Sequence, residues 1–271
     1  MNEKKHIKLV MNGALGRMGR KIISLASKDP DIAITGAVDL NDELVGQDIG
    51  QIIGIGTLGV SLVNDLSRAI TRDNVVVDFT GPKTTLAAAS LCKKTKTPLV
   101  IGTTGLNSEE YKELKRLVSS IPCVFAPNMS VGVNLLFKLA GVTARILGNE
   151  YDVEITETHH RFKKDAPSGT AHHLGEIIAE TLSRNLDEQA VYGRHGIIGE
   201  RTTGEIGIHS LRVGDVVGEH TVTFGTPGER IELTHKAQSR DAFARGTIRA
   251  VKFVFNADPG LYDMQDVLGL K

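Results

Sequence analysis

The chain has 271 residues, 41% of them hydrophobic, which is enough to bury the core of one large domain or two moderate ones and argues against disorder. Its 32 basic and 32 acidic residues cancel, so attraction for anions must be local, and a general affinity for nucleic acid or an anionic membrane is disfavoured. Cys92 and Cys123 make neither a disulfide framework nor a CxxC pair, as in a reduced cytosolic protein.

The opening MNEKKHIKLV runs directly into a strand pattern instead of a leader's apolar core, and no apolar run approaches the roughly 18 residues of a membrane span. A soluble, cytoplasmic chain with no membrane partner is expected. Residues 7–12, IKLVMN, read as a strand. Gly13, Gly16 and Gly19 follow in GALGRMG, then a helix with Met18, Ile22, Leu25 and Ala26 on one face, ending at Asp29-Pro30. Strand, glycine turn and helix form one variant of the dinucleotide fingerprint. Gly13 permits the tight turn, Gly16 lets backbone approach a pyrophosphate, and Gly19 lets helix and strand pack closely. A second strand, IAITGAVD, ends in Asp39, where the fingerprint places an acid for the adenosine ribose hydroxyls. Leu40 offers no guanidinium for a 2′-phosphate and an acid at 39 repels one, which favours NADH. Arg17 and Lys21 lie just inside the first helix and leave NADPH open.

Residues 41–59 are glycine-rich and weakly periodic, a loop with at most one helical turn. An α/β alternation then resumes: a strand at 60–63, a helix near 66–70, the strand NVVVDFT at 74–80, the helix TTLAAASLCKK after Pro82, the strand PLVIG, a helix over 108–118 and the strand PCVFAPN. Apolar strands bounded by glycine or proline fit a parallel sheet buried on both faces. FTGP at 79–82, GTTG at 102–105 and APNMS at 126–130 all fall at carboxyl ends of strands, where such sheets hold ligands. They are candidates to line a nicotinamide, Phe79 and Thr80 among them.

Val131 to Leu147 reads as a core-facing helix carrying Val131, Leu135, Leu139, Val142 and Ile146 at helical spacing. Residues 152–160 then alternate. Val153, Ile155, Glu157 and His159 share one face, while Glu154, Thr156, Thr158 and His160 share the other, so the adjacent histidines point apart if the strand persists. The loop RFKKDAP brings Arg161, Lys163 and Lys164, and Ser168 caps a helix whose inner face holds Ala171, Leu174, Ile178 and Leu182. The N–H groups of Gly169 and Thr170 are placed to hold a carboxylate. A cationic rim joined to a helix start suits a small dicarboxylate.

Zinc at His159, His160, His172 and His173 is disfavoured, because neighbouring strand histidines diverge, no cysteine or spaced carboxylate completes the set, and lysines surround it. No metal is expected, and His172 and His173 read as surface residues. The remaining chain is mostly antiparallel β at 206–214, 219–225 and 229–237, the last two joined by a type II turn over residues 226–229. A helix at 242–255, with no strand to follow it, is expected to return to the first domain.

In this order, GALGRMG, DFTGP, GTTG, NMSVGVN, ETHHRFKKDAPSGTA, GEHTVTF and LTHKAQSR closely resemble the dihydrodipicolinate reductase family, the 4-hydroxy-tetrahydrodipicolinate reductases of the diaminopimelate and lysine pathway. The resemblance covers almost the whole chain, and HHRFKKDAPSGTA is its most specific segment. It implies a Rossmann-type parallel sheet domain (1–130 and 240–271) plus a second α+β domain with a mostly antiparallel or mixed sheet (131–239). The second domain would close over the first, bind substrate and form a homotetramer through its sheet. It implies His159 as proton donor or acceptor and Lys163 as a second proton donor. His160, Gly169 and Thr170 would bind substrate carboxylates, with Ser168 at the same helix start. Gly13, Ala14, Leu15, Gly16, Arg17, Met18, Asp39, Gly102, Thr103, Thr104, Ala126, Pro127, Asn128 and Met129 would line the cofactor. Leu40 departs from members that carry an arginine there for NADPH. A non-catalytic NAD(H)-sensing Rossmann protein is the competing expectation. Lys163 and the start at Ser168 describe a small-anion pocket better than the broad basic face a DNA-reading sensor would want.

Overall fold

The computed structural model describes residues 7–71 and 73–271. The first six residues, on which the expectation of no leader partly rests, lie outside the described residues. The chain divides into two compact units, Met1–Val131 with Asp241–Lys271, and Gly132–Arg240. The first unit begins β1 (Ile7–Asn12), α1 (Arg17–Ala26), β2 (Ile32–Val38), α2 (Ile49–Ile52), β3 (Leu62–Val63), β4 (Asn74–Asp78), α3 (Pro82–Thr95), β5 (Leu99–Ile101), α4 (Ser108–Val118) and β6 (Pro122–Phe125). The second unit holds α5 (Val131–Leu147, its first residue shared with the boundary), β7 (Asp152–His159), α6 (Gly169–Thr181), α7 (Leu186–Gln189), β8 (Ala190–Val191), β9 (Ile206–Arg212), β10 (Gly218–Thr226) and β11 (Glu229–Ala237). The chain returns to the first unit as α8 (Asp241–Val254), β12 (Gly260–Tyr262) and α9 (Met264–Leu268).

Seven parallel strands in the order β12-β6-β5-β4-β1-β2-β3 make the first sheet. Alternation divides its side chains between two cores. Leu9, Met11, Val75, Val77, Val100 and Val124 pack with α1 and α8, while Val10, Val76, Leu99, Ile101 and Cys123 pack with α3 and α4. Burial on both faces explains the nearly unbroken apolar runs. Strand order reverses between β1 and β4, whose last residues Asn12 and Asp78 are register partners, so the switch-point crevice opens there. The loop at 41–59 holds a 3-10 turn, Asp42–Leu44, as well as α2. β12 follows the last long helix and was not read from the sequence: three residues after a proline carry too little pattern to register as a strand.

In the second unit the sheet order is β11-β10-β7-β9-β8. β10 runs antiparallel to β7 and β11, whereas β9 runs parallel to β7 and β8, which corrects the reading of 206–214 as antiparallel. The connection from β7 through α6 and α7 is long enough to bring the chain back to the same end of the sheet, and that gives a parallel pair. Gly228 has φ +99°, as the third position of a type II turn requires.

The core face of α5 also differs from expectation. Val133, Leu136, Phe137, Ala140 and Ala144 are buried, while Leu135, Leu139, Val142 and Ile146 are exposed. The helix is apolar around most of its circumference, so spacing alone selects either face. Val131–Glu150 is also long and apolar enough, by length and composition, to cross a membrane, with a hydropathy of 1.4, which corrects the count of apolar runs made from sequence. Its buried face joins Val153, Ile155, Ile206, Ile208, Val222 and Phe224 in the core of the second unit.

Candidate active site

The glycine turn of the first unit is built as the fingerprint requires. Gly13 has φ +84° and a Cβ there would lie 2.7 Å from the Phe79 carbonyl oxygen, while a Cβ on Gly19 would collide with the Gly13 carbonyl oxygen. Gly16 is exposed and caps α1 without a side-chain hydrogen bond, and the first turn of α1 contains no acid. The positive end of α1 is thus left without a carboxylate of its own, which suits a phosphate. A cavity of about 540 Å³ adjoins the turn. Gly13, Gly16, Asp39, Leu40, Phe79 and Thr80 are in its wall, Asp65 adds a second acid, and among the described residues no lysine or arginine lines it. Asp39 meanwhile accepts a 2.9 Å hydrogen bond from the Leu15 N–H, tying the end of β2 to the turn. Lys21 is paired with Asp241 at 3.1 Å, so the structure commits it to α8. These residues fit a pyridine nucleotide: a bare helix start, a glycine beside it, and an acid where ribose hydroxyls would lie.

Other expected cofactor residues are placed less uniformly. Arg17, Thr104 and Pro127 are exposed, Leu15, Met18 and Asn128 partly so. Ala14, Gly102, Thr103, Ala126 and Met129 are buried; the side chains of Ala14, Ala126 and Met129 join the apolar core. A Cβ on Gly102 would enter the Phe79 ring, which lies against it.

Sequence reasoning missed the group that joins these loops. Asp78, wholly buried at the end of β4, accepts from Asn12 Nδ2 at 2.6 Å, Thr80 Oγ1 at 3.0 Å, Thr103 Oγ1 at 3.0 Å and Thr85 Oγ1. One carboxylate therefore gathers the ends of β1, β4 and β5 and the first turn of α3. Burial raises its pKa, against the lowering effect of these hydrogen bonds.

In the second unit, one sheet face changes character along its length. Val153, Ile206 and Phe224, then Ile155, Ile208 and Val222, are cross-strand neighbours, and the next set is Glu157, Ser210 and His220. His159 and Arg212 pair beyond it, with Gly218 beside them. β7 ends at His159, and His160 lies in the following turn. Glu157 is fully buried and receives His159 Nδ1 at 2.6 Å, Arg212 through two nitrogens at 2.9 Å each, and the Ser168 N–H at 3.1 Å. Burial would raise this carboxyl, but the bonds from His159 and Arg212 outweigh it and hold the pKa down to about 2. His220, packed edge-on to His159 with centroids 5.2 Å apart, has its pKa lowered to about 3 by burial and then by the charge of His159, so it remains neutral.

Ser168 is buried. Its Oγ accepts from the Ala171 N–H at 3.2 Å and lies 3.0 Å from His220 Nε2. Both its amide and hydroxyl are used within the protein, as a helix cap. Gly169 and Thr170 follow as the first two residues of α6, whose first turn holds no acid, and a Cβ on Gly169 would meet nothing within 4 Å. Lys163 is paired with both oxygens of Asp165, at 2.9 and 2.8 Å. His160 Nδ1 is buried without a partner. His172 and His173 stand on the surface beside Glu176. The structure thus gathers His159, Ser168 and the start of α6 around Glu157. Arg212 and His220 were missed, although Glu157 and His159 were already two apart on one strand face.

Residues 7–129 match the family model described as dihydrodipicolinate reductase, N-terminus, and residues 132–268 match dihydrodipicolinate reductase, C-terminus. The chain is 52% identical over 265 residues to a 4-hydroxy-tetrahydrodipicolinate reductase of Hahella chejuensis, covering 97% of this chain and 99% of that one. It is 49% identical over 266 residues to a protein of the same name from Syntrophus aciditrophicus, covering 98% and 99%. A solved dipicolinate-bound dihydrodipicolinate reductase from Paenisporosarcina sp. TG-14 is 26% identical and superimposes with a TM-score of 0.77, over 96% of this chain and 98% of that one. The chain belongs to the dihydrodipicolinate reductase family and is an NAD(P)H-dependent oxidoreductase of lysine and diaminopimelate biosynthesis, converting 4-hydroxy-tetrahydrodipicolinate to tetrahydrodipicolinate.

Proposed function

We propose that His159 is the acid of this reduction and that the start of α6 holds the substrate. The observation that carries this is the polar end of the second sheet, where a histidine bound to a buried, ionised Glu157 stands beside a helix start with no acid in its first turn. NAD(P)H, when bound, supplies the hydride. Loss of water from the 4-hydroxy compound gives a conjugated C=C–C=N system; hydride addition at its far end moves electrons toward nitrogen and leaves an enamine, which needs one proton on carbon to give the product. His159 delivers that proton. Lys163, held at the loop by Asp165, serves as a second proton donor and stabilises negative charge.

A small dicarboxylate is the ligand this end accommodates. The Gly169 and Thr170 N–H groups take one carboxylate, the open space at Gly169 lets it approach, and His160, with its unpartnered Nδ1, assists. Ser168 acts by holding the helix start. In the first unit, Gly13–Met18, Asp39, Phe79, Thr80, Gly102–Thr104 and Ala126–Met129 form the cofactor's surroundings, several of them through backbone only. NADH is the preferred donor: Asp39 and Asp65, in a cavity that no lysine or arginine among the described residues lines, disfavour a 2′-phosphate. The chain associates as a homotetramer through the second sheet, whose edge strand β11 exposes most of its residues. Both cysteines are free and buried, in keeping with a cytoplasmic setting.

The test is NADH consumption with and without freshly generated dihydrodipicolinate-type substrate, repeated with NADPH. Consumption should require the substrate and show a higher kcat/KM for NADH. Substrate-independent oxidation would overturn the proposal, and a higher kcat/KM for NADPH would overturn the cofactor preference.

A further inference from the structure

We infer that Glu157, Arg212 and Gly218 together dedicate one atom of His159, Nε2, to proton transfer, Glu157 by holding the Nδ1 proton and Gly218 by leaving room beside Nε2. The inference rests on the proposal that His159 is the acid. An ionised carboxylate only accepts hydrogen bonds, so the 2.6 Å contact makes Nδ1 a donor. The carboxylate cannot rotate away. Arg212 binds both of its oxygens, the Ser168 N–H takes a further site on Oε1, and the Ser210 side chain adds another hydrogen bond, so the carboxylate is held from several sides.

Gly218 supplies the other half. It begins β10 next to Glu219, the partner of Thr158, and therefore flanks His159. A Cβ there would lie 3.0 Å from His159 Nε2 and 3.4 Å from Cδ2, and its three nearest neighbours all belong to this ring. Its backbone is outside the left-handed region, so no conformational demand calls for glycine. At Gly13 and Gly19 the added atom meets backbone first; at Gly218 its nearest neighbours are atoms of the His159 ring, Nε2 first. The other groups facing this ring are His220 on β10, which is neutral, Arg212 on β9 and the Ser168 cap of α6. Lys163 lies in the loop between, paired with Asp165.

The proton accounting is simple. The imidazolium gives its Nε2 proton to the substrate carbon, the neutral ring remains as the Nδ1–H form bonded to Glu157, and Nε2 regains a proton from solvent. Neither Glu157 nor Arg212 changes charge. Both are positioning residues.

Two variants and one spectrum test this. Nitrogen-15 NMR of histidine-labelled protein should show neutral His159 protonated on Nδ1, and Glu157→Gln should mix the tautomers. Gly218→Ala should leave the unfolding midpoint and the NADH dissociation constant unchanged while lowering kcat at least about tenfold, a fraction of the roughly 100- to 10,000-fold that a placed acid supplies. Wild-type kcat in Gly218→Ala, or neutral His159 protonated mainly on Nε2 in the unaltered enzyme, would overturn the inference. His159→Gln separates the two levels. If it retains full turnover, the underlying proposal fails; if it loses turnover while Gly218→Ala does not, only the assignment of Nε2 fails.

Discussion

Asp78 and Glu157 are both wholly buried carboxylates near the ends of strands, one in each unit, and their pKa values move in opposite directions. Asp78 is surrounded by three threonine hydroxyls and an amide, all neutral, and desolvation wins. Glu157 is buried to the same degree, but a guanidinium and a histidine outweigh desolvation. Burial sets the cost of a charge, and the charge of its partners decides whether the cost is met. The difference suits the two ends. In the first unit neutral donors gather the strand ends where the proposed dinucleotide would bring its own anionic charge, while in the second an ionised carboxylate is hydrogen-bonded to His159.

Neutralising each carboxylate is the strongest way to break this comparison. Glu157→Gln leaves Arg212 without its counter-charge and should cost about 3 kcal/mol, the low end for a broken buried pair because Arg212 keeps some solvent access. Asp78→Asn leaves only neutral donors to rearrange and should cost about 1 kcal/mol. Urea unfolding of both variants measures this, and equal losses would contradict the assigned roles of charge.

Acid gives a smaller and sharper contrast. His220 has a folded pKa of about 3 against an ordinary 6.5, so below about 6.5 the unfolded chain takes up a proton that the fold refuses. Between pH 7 and pH 5 this should remove about 2 kcal/mol from the second unit, at about 1.4 kcal/mol per pH unit. Glu157 adds to the loss from about 4.5 down toward 2, because its depressed carboxyl must then be protonated. Asp78 has the opposite sign: its raised pKa favours the neutral form in the fold, so its contribution declines as pH rises from 3.8. Urea midpoints across this range for the unaltered chain and His220→Gln should diverge below about 6.5, and parallel curves would refute the neutral, buried His220.

What was legible in the sequence was what is local. The glycine turn with Asp39 and the run HHRFKKDAPSGT carry their meaning within a few residues, as do the alternating strands of a sheet buried on both faces. Asp78 was invisible as a hub because its donors come from Asn12, Thr80, Thr85 and Thr103, which only the sheet brings together. Glu157 was half legible. Alternation put it on the face of His159, but Arg212 lies 55 residues further along and arrives through a parallel strand read as antiparallel. Gly218 stood in the motif GEHTVTF without a role, since its closest approach is to a ring in another strand. The face of α5 was misread because an almost wholly apolar helix offers no period to choose by.

The most direct test of the account is single-turnover reduction by His159→Gln, with NADH binding measured separately. Loss of this acid should lower the rate of the chemical step at least about 100-fold while the NADH dissociation constant stays unchanged. A variant that reduces substrate at the rate of the unaltered enzyme would contradict the central claim that this histidine, held by Glu157, delivers the proton.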